Sequence, residues 1–348
     1  MIELQTGNLL EADAEALVNT VNCVGVMGKG IALQFKQAFS DNYREYQKAC
    51  KDNRVRPGKM FIVSTGLLVN PKYIINFPTK RHWKGQSLIE DIEAGLQSLI
   101  EDIKAYNIES IAVPPLGCGN GGLEWAEVAP IIVKAFDQLP RVSVQLFEPL
   151  GTPSAISMPV ATNKPKMTRG RALIIILMQQ YGIPGYELSK LEIQKLAYFL
   201  QIAGEPLKLR YVKHKYGPYA DNVNHVMQTI EGHYTRGYGD GSQQWTGIHL
   251  LPKAAEEASH FLEPFPDAAA HLKRVSQLIE GFETPYAMEL LATVHWVTQH
   301  DLLAAVDPAV AITGVHSWSK RKEKLFPPEN IYIAWQRLHD ENWLPISH

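Results

Sequence analysis

Residues 19–32 read Asn19-Thr-Val-Asn-Cys-Val-Gly-Val-Met-Gly-Lys-Gly-Ile-Ala32, and residues 114–125 read Pro114-Pro-Leu-Gly-Cys-Gly-Asn-Gly-Gly-Leu-Glu-Trp125. Each stretch follows an apolar run, Ala16–Val21 in one case and Ser110–Pro114 in the other, and each leads into a helical pattern. Strand, glycine-rich loop and helix, repeated, predict a layered α/β sheet with ligand loops at the carboxyl ends of its strands. Glycine lets the backbone come close to a ligand and aim its N–H groups at it. The helix N-terminus that follows adds partial positive charge, which favours a phosphate. Two such loops are able to clamp a pyrophosphate from both sides. One loop alone reads equally well as a tight turn. Neither contains a Walker sequence or the dinucleotide-fold spacing with its downstream acid.

Working outward, Ile2–Gln5, Met60–Thr65, Tyr73–Phe77 and Val142–Phe147 are further strand candidates, several rich in Val and Ile. Ile31–Phe39, Leu88–Tyr106 and Trp125–Leu139 show helical spacing; in the second, Leu88, Ile92, Leu96, Leu99 and Ile103 share one face. From Pro149 to Arg169 prolines recur and little is available to bury. This predicts a linker over 151–169 between domains at 1–150 and 170–348; a long surface loop of one larger domain is the alternative. Beyond it the pattern turns mainly helical: Arg171–Tyr181, Lys190–Ala203, Ala220–Glu231, Ala268–Gly281, Tyr286–Thr298 and Glu329–His339. Short extended pieces are expected near Leu207–Val212 and Trp245–Leu250.

Composition narrows the function classes. Hydrophobic residues make up 45% and charged residues 20% of 348, an ordinary globular balance. The most apolar run, Ala172–Met178, is too short for a membrane helix, and no signal-peptide layout opens the chain, so a cytoplasmic protein is expected. Cys23, Cys50 and Cys118 form neither a disulfide framework nor zinc-ligand spacing, so no metal and no cofactor are expected. The net charge is −2, with 15 basic against 17 acidic residues up to position 150 and 19 against 19 after it. No global field therefore draws the chain onto nucleic acid, and any such recognition must be local.

The loops and their surroundings resemble the macrodomains. Gly7-Asn-Leu looks like the adenine-side turn, with Asn8 where many members carry Asp; residues 19–31 look like the loop around the distal ribose, and 115–123 like the phosphate loop. The resemblance spans essentially all of residues 1–150 and implies a three-layer α/β/α domain with a mixed sheet. It further implies ADP-ribose binding by Asn8, Leu9, Asn19, Gly28, Gly30, Ile31, Thr79, Gly117, Cys118, Gly119, Asn120, Gly121 and Leu123. Asn76-Phe-Pro-Thr-Lys80 is similar to the subgroup typified by the terminal ADP-ribose protein glycohydrolase, and especially to the DarG-like antitoxins of DarT–DarG pairs. What this implies is that Lys80 attacks, or helps open, the anomeric carbon of the ribose. DarG-like members remove ADP-ribose from thymine bases of DNA. The implied partners are ADP-ribosylated single-stranded DNA as substrate and a DarT-like toxin, with no membrane.

Read from the residues alone, Lys80 is open between two roles. A lysine with its ordinary pKa near about 10.4 is protonated and a poor nucleophile. Partial burial, or the neighbouring cations Arg81 and Lys84, would activate it; otherwise it is a solvated loop lysine, or one that merely pairs with phosphate. Asn22 is the second catalytic candidate, its amide suited to orienting ribose hydroxyls, or else a turn-forming Asn. The protein-directed relatives use an acid in the second loop, and here the tip reads Gly119-Asn-Gly-Gly-Leu-Glu124. That leaves Glu124 as a displaced acid or a simple helix cap. Cys118 lacks a visible His or acidic partner and reads as a small buried loop residue. His82 and Trp83 read either as a base-stacking mouth or as packed loop aromatics.

In the second half, Leu191–Gln201 and Tyr211–Tyr219 resemble Panacea or SocA-like antitoxin domains, which implies toxin binding. The Tyr-Gly-Pro-Tyr turn also has a plain reading, with Pro218 starting a helix after Gly217. Tyr211, Tyr216 and Tyr219 read as core or as interface. Glu256-Glu257 and Glu280–Glu283 read as phosphate mimics or as solvated helix faces. The expected whole is an antitoxin joining a DNA ADP-ribosyl glycohydrolase to a toxin-neutralising domain. Its rivals are a non-catalytic ADP-ribose reader, a hydrolase of free ADP-ribose derivatives, and a pure interaction protein. The glycines at 28, 30, 117, 119 and 121 argue against a decayed pocket.

Overall fold

The computed structural model describes residues 1–67, 69–149, 158–182, 188–238 and 247–345. They divide into two compact units, one up to Lys164 and one from Pro165 onward. Residues 151–157 of the predicted linker, and Trp245 and Thr246 of a predicted extended piece, lie outside the described residues. The last described part of the proline-rich stretch runs along the first unit: Met158 is buried, and the Ala161 N–H donates to the Gln37 carbonyl at 2.8 Å.

The first unit follows the order β1 (Ile2–Gln5), β2 (Ala16–Asn22), α1 (Gly30–Ala38), α2 (Ser40–Lys51), β3 (Phe61–Ser64), β4 (Tyr73–Lys80), α3 (Ile89–Tyr106), β5 (Ser110–Val113), α4 (Trp125–Phe136) and β6 (Ser143–Phe147). The strands form one sheet in the order β1-β6-β5-β2-β4-β3. All neighbours are parallel except β3 and β4, so the sheet is mixed. The central strands β2 and β4 are buried almost throughout, because helices cover both faces. Alternation divides their side chains: Ala16, Val18, Ile75 and Phe77 pack against Leu96, Leu99 and Ile132 of α3 and α4. Leu17 and Ile74 meet Phe35 of α1, and Val21 meets Tyr46 of α2. This is the α/β/α layering expected of a macrodomain.

Two features depart from the sequence reading. Helix α2 was not expected, because its buried side is built from Asn42, Tyr46, Ala49 and Cys50 rather than from an aliphatic stripe. Strand β4 runs three residues past Phe77, through Pro78, to Lys80. Proline has no N–H for a ladder, and the strand answers with a register shift: Val21 pairs with Pro78, but Asn22 pairs with Lys80. Thr79 is left over and buried.

The second unit is mainly helical. Helices α5 (Arg169–Tyr181), α6 (Lys190–Ile202) and α10 (Pro285–His300) form its centre, and residues 172–178 of α5 are all buried. Around them lie α7 (Asp221–Ile230), α8 (Ala254–Leu262), α9 (Pro266–Ile279), α11 (Leu302–Val306), α12 (Pro308–His316), α13 (Lys320–Leu325) and α14 (Pro328–Asp340). Their starts are written locally. Ser189 and Glu192 form a capping box, Thr284, Asp301, Asp307 and Ser319 cap with their side chains, and α9, α10, α12 and α14 carry proline in the first turn. The extended segments are two short hairpins, β7 (Val212–His214) with β8 (Gly217–Tyr219), and β9 (Thr235–Arg236) with β10 (His249–Leu250). Pro218 therefore sits inside β8, and the helix that follows starts only at Asp221.

Candidate functional site

Because β1, β2, β4, β5 and β6 run parallel, they deliver their following loops to one edge of the sheet. Helices α1, α3 and α4 begin there, and their N-cap residues Lys29, Leu88 and Glu124 make no side-chain capping bond. No side chain at the cap thereby competes with an anion for their first-turn N–H groups, although in α4 the Glu127 N–H donates to the Glu124 carbonyl at 3.1 Å. The Lys80 Nζ, at the end of β4, donates to the Asn120 carbonyl in the second glycine-rich loop. A Cβ on Gly30, in the first loop, would stand 3.2 Å from Asn120 Nδ2, so both loops and the lysine meet at Asn120.

The second loop is a closed turn. Leu123 N–H donates to the Gly117 carbonyl at 3.1 Å, Gly122 N–H to that of Gly119 at 3.1 Å, and Ser87 N–H to that of Gly121 at 3.0 Å. Gly117 has φ +75°, and any side chain at Gly121 would collide with the Gly117 carbonyl and Ser87 Oγ. The Ser87 hydroxyl is buried against this turn without a protein partner. Gly119 and Asn120 stand exposed at the tip.

The first loop is shaped by Asn22. Its Nδ2 donates to the Val26 carbonyl at 2.6 Å, and its Oδ1 accepts from the N–H groups of Val24 at 3.0 Å and Val26 at 3.4 Å. The buried Tyr46 hydroxyl donates to the Asn22 carbonyl at 2.6 Å. Thus the Asn22 amide is engaged within its own loop. Asn19 lies wholly inside, its Nδ2 on Asn76 Oδ1 at 3.0 Å, and Asn76 in turn is bonded to Asn42. Asn19 stiffens the strand beneath the pocket, and its side chain is closed off from a ligand.

Burial, followed by the charge of Lys29, holds the Lys80 ammonium below the usual lysine range. The cation that acts on it is therefore Lys29 of the first loop rather than Arg81 or Lys84. Arg81 turns away to Asp91, at 3.1 and 3.2 Å, and Lys84 lies 4.8 Å over the Trp83 ring. Burial, then Glu124, pushes the Cys118 thiol up to about 11, so it is no thiolate nucleophile at neutral pH. Glu124 itself is exposed at the start of α4.

The remaining predicted residues spread around this centre. Asn8 caps a short 3₁₀ turn, accepting from Leu10 N–H at 3.1 Å and donating to Glu11 at 2.8 Å. Leu9 points into the core, so only its backbone is open to a ligand. Gly28 and Ile31 flank the start of α1, half-buried, and Leu123 packs half-buried at the end of the second loop. His82 and Trp83 are exposed, with rings 5.5 Å apart. In the second unit, Glu256 and Glu257 occupy the first turn of α8, where a helix dipole welcomes them. Tyr211 packs edge-on against Tyr198 at 4.9 Å, and Tyr219 stacks on His214 at 4.8 Å.

The Macro domain family matches residues 18–132. A DNA ADP-ribosyl glycohydrolase of Thermus aquaticus is 47% identical over 340 residues, covering 97% of this chain and 93% of the relative. One of Mycobacterium tuberculosis is 45% identical over 355 residues, covering 97% of this chain and 99% of its own. The chain belongs to the DNA ADP-ribosyl glycohydrolase family. A DNA ADP-ribosyl transferase–DNA ADP-ribosyl glycohydrolase fusion protein of Thermosipho africanus is 38% identical over 164 residues, 43% of this chain and 42% of the fusion.

For a DNA ADP-ribosyl glycohydrolase, the sequence reading overlooked three supports of the pocket. Lys29 was in plain view between two glycines at a helix start, and its position was the signal. Tyr46 was hidden because helix α2 was. Ser87 carried no local signal, since its role depends on a loop thirty residues further on.

Proposed function

We propose that this chain hydrolyses the glycosidic bond between ADP-ribose and a DNA base, thymine by the sequence reading, with Lys80 as the nucleophile. The observation that carries the proposal is the placement of Lys80: half-buried, facing Lys29, and bonded across the pocket to the loop best suited to a pyrophosphate. The neutral amine adds to the anomeric carbon as the carbon–nitrogen bond to the base breaks. The departing base takes the proton that the amine gives up. Water then displaces the lysine, freeing ADP-ribose and restoring the amine. The turn at Gly117–Leu123 and the start of α1, from Gly28 to Ile31, hold the pyrophosphate with backbone N–H groups. Asn8 and Leu9 border the adenine, while Thr79 and Cys118 line the wall. Asn22 acts as a positioning residue through its loop.

The second unit neutralises a partner ADP-ribosyltransferase by binding it. The fusion of such a transferase to a related glycohydrolase supports this pairing. Single-stranded DNA is the proposed form of the substrate and the cytoplasm the proposed location. Among the described residues no helix is long and apolar enough to cross a membrane.

The test compares wild type with Lys80→Ala in releasing ADP-ribose from thymidine-modified single-stranded DNA, alongside calorimetric binding of free ADP-ribose. We expect release to be lost and binding kept. Release by Lys80→Ala would refute the lysine mechanism, and tight binding without release by the wild type would make the chain a reader.

A further inference from the structure

The even charge balance of the second half conceals a local imbalance. Residues 207–219 read Leu-Lys-Leu-Arg-Tyr-Val-Lys-His-Lys-Tyr-Gly-Pro-Tyr, with four Lys or Arg and no acid. Residues 319–325 contain Lys320, Arg321, Lys322 and Lys324 against Glu323 alone. The fold sets these two segments side by side. The Trp318 indole N–H, just before α13, donates to the His214 carbonyl of β7 at 3.0 Å. The Arg321 guanidinium lies 4.7 Å from the Tyr216 ring centre at the hairpin tip.

Every residue of β7 is exposed, as is Lys215 after it. The aromatic rings here act as seats for cations. Lys213 Nζ is 4.8 Å over Trp318, and Lys215 Nζ is 5.1 Å over Tyr216. The seat is anchored from below: Lys195 Nζ donates to the Pro218 carbonyl at 2.6 Å, and Arg321 and Lys322 both grip the buried Glu289. Glu289 is thus already matched, and within residues 207–221 and 319–325 the exposed acids are Asp221 and Glu323, against exposed Lys213, Lys215, Lys320 and Lys324.

We propose that this face of the β7–β8 hairpin and α13 is a docking surface for the phosphate backbone of DNA, separate from the ADP-ribose pocket. It rests on the reading above that the substrate is DNA. An array of exposed, ring-seated cations, built over two further cations that share one buried carboxylate, suits a polyanion read by charge and without regard to sequence. A protein interface would place an apolar centre inside a polar rim, and here Val212 is the one large exposed aliphatic of the hairpin. The exposed aliphatic residues Leu302, Leu303 and Val306 belong to α11 instead.

The experiment uses the full chain, wild type and Lys213→Gln/Lys215→Gln, with a fluorescent unmodified single-stranded oligonucleotide of about 20 nucleotides as the probe. Thermal unfolding checks that the variant is folded. Losing two phosphate contacts should weaken binding about tenfold at low salt and flatten the slope of log K against log salt by about 1.4. Hydrolysis of a single ADP-ribosylated nucleoside, too small to span both sites, should be unchanged. Unaltered oligonucleotide affinity in the folded variant overturns the proposal. So does a variant that binds DNA normally but no longer binds the purified partner transferase, which would make the face a protein interface. Failure of the wild type to hydrolyse the nucleoside would strike the glycohydrolase reading, while the oligonucleotide titration would still decide the docking surface.

Discussion

Replacing Gly121 by alanine puts a methyl carbon 2.2 Å from the Gly117 carbonyl oxygen and 2.3 Å from Ser87 Oγ. Ordinary contact begins at 3.4 Å, so the turn must open by more than an ångström, and the main obstacle is backbone, which cannot rotate away. Overpacking of this kind costs about 2–3 kcal/mol when the surroundings can shift. The turn borders solvent at Gly119 and Asn120, so it will shift rather than unfold the domain. The strain then appears as a misplaced set of N–H groups, and about 2–3 kcal/mol corresponds to an ADP-ribose affinity about 30–150-fold weaker. Gly119→Ala is the companion variant: nothing lies within 4 Å of its added carbon, and its backbone needs no left-handed conformation. Its melting temperature should match the wild type. Calorimetric titration with free ADP-ribose and thermal unfolding measure both effects. Gly121→Ala binding ADP-ribose with wild-type affinity would refute the reasoning, for it would mean the turn's shape does not form the anion site.

Three further perturbations test other parts of the account. Lys29→Gln removes the cation that lowers the Lys80 pKa, so neutral amine appears only at higher pH; the rising limb of the pH–rate profile should move to higher pH, and an unmoved limb would exclude Lys29 as the activating charge. Tyr46→Phe deletes the hydroxyl that donates to the Asn22 carbonyl at 2.6 Å; leaving that buried acceptor unpaired should cost about 1–3 kcal/mol, read as a lower melting temperature. Glu289→Ala leaves the fully buried Lys322 without its counter-charge; urea unfolding of the full chain should report a loss of about 3–5 kcal/mol.

The layered domain was legible because its strands are Val- and Ile-rich runs set between helical stripes, and because two glycine-rich loops follow strands in register with helix starts. What escaped depended on contacts between distant segments. Helix α2 buries Asn42, Tyr46 and Cys50, a set that does not register as a stripe. Lys80 was found, but its neighbours in sequence were mistaken for its neighbours in space. Arg81 is held by Asp91 ten residues on, whereas Lys29 arrives from another loop. The amide of Asn22 looked available because the turn it organises is invisible until the chain is folded. In the second half α6, α9, α10 and α14 carried their own start signals. The short helices α11 and α13 span fewer residues than a periodic pattern needs to declare itself.

The skipped residue in the pairing of β2 with β4 bears on how the lysine at the strand end is aimed. Side chains alternate across a sheet, so moving the partner of Asn22 from Thr79 to Lys80 determines which of the two residues turns toward the loops. Removing Thr79 would restore an even ladder with the lysine still opposite Asn22, and the bend and twist that the bulge imposes on the end of β4 would be lost.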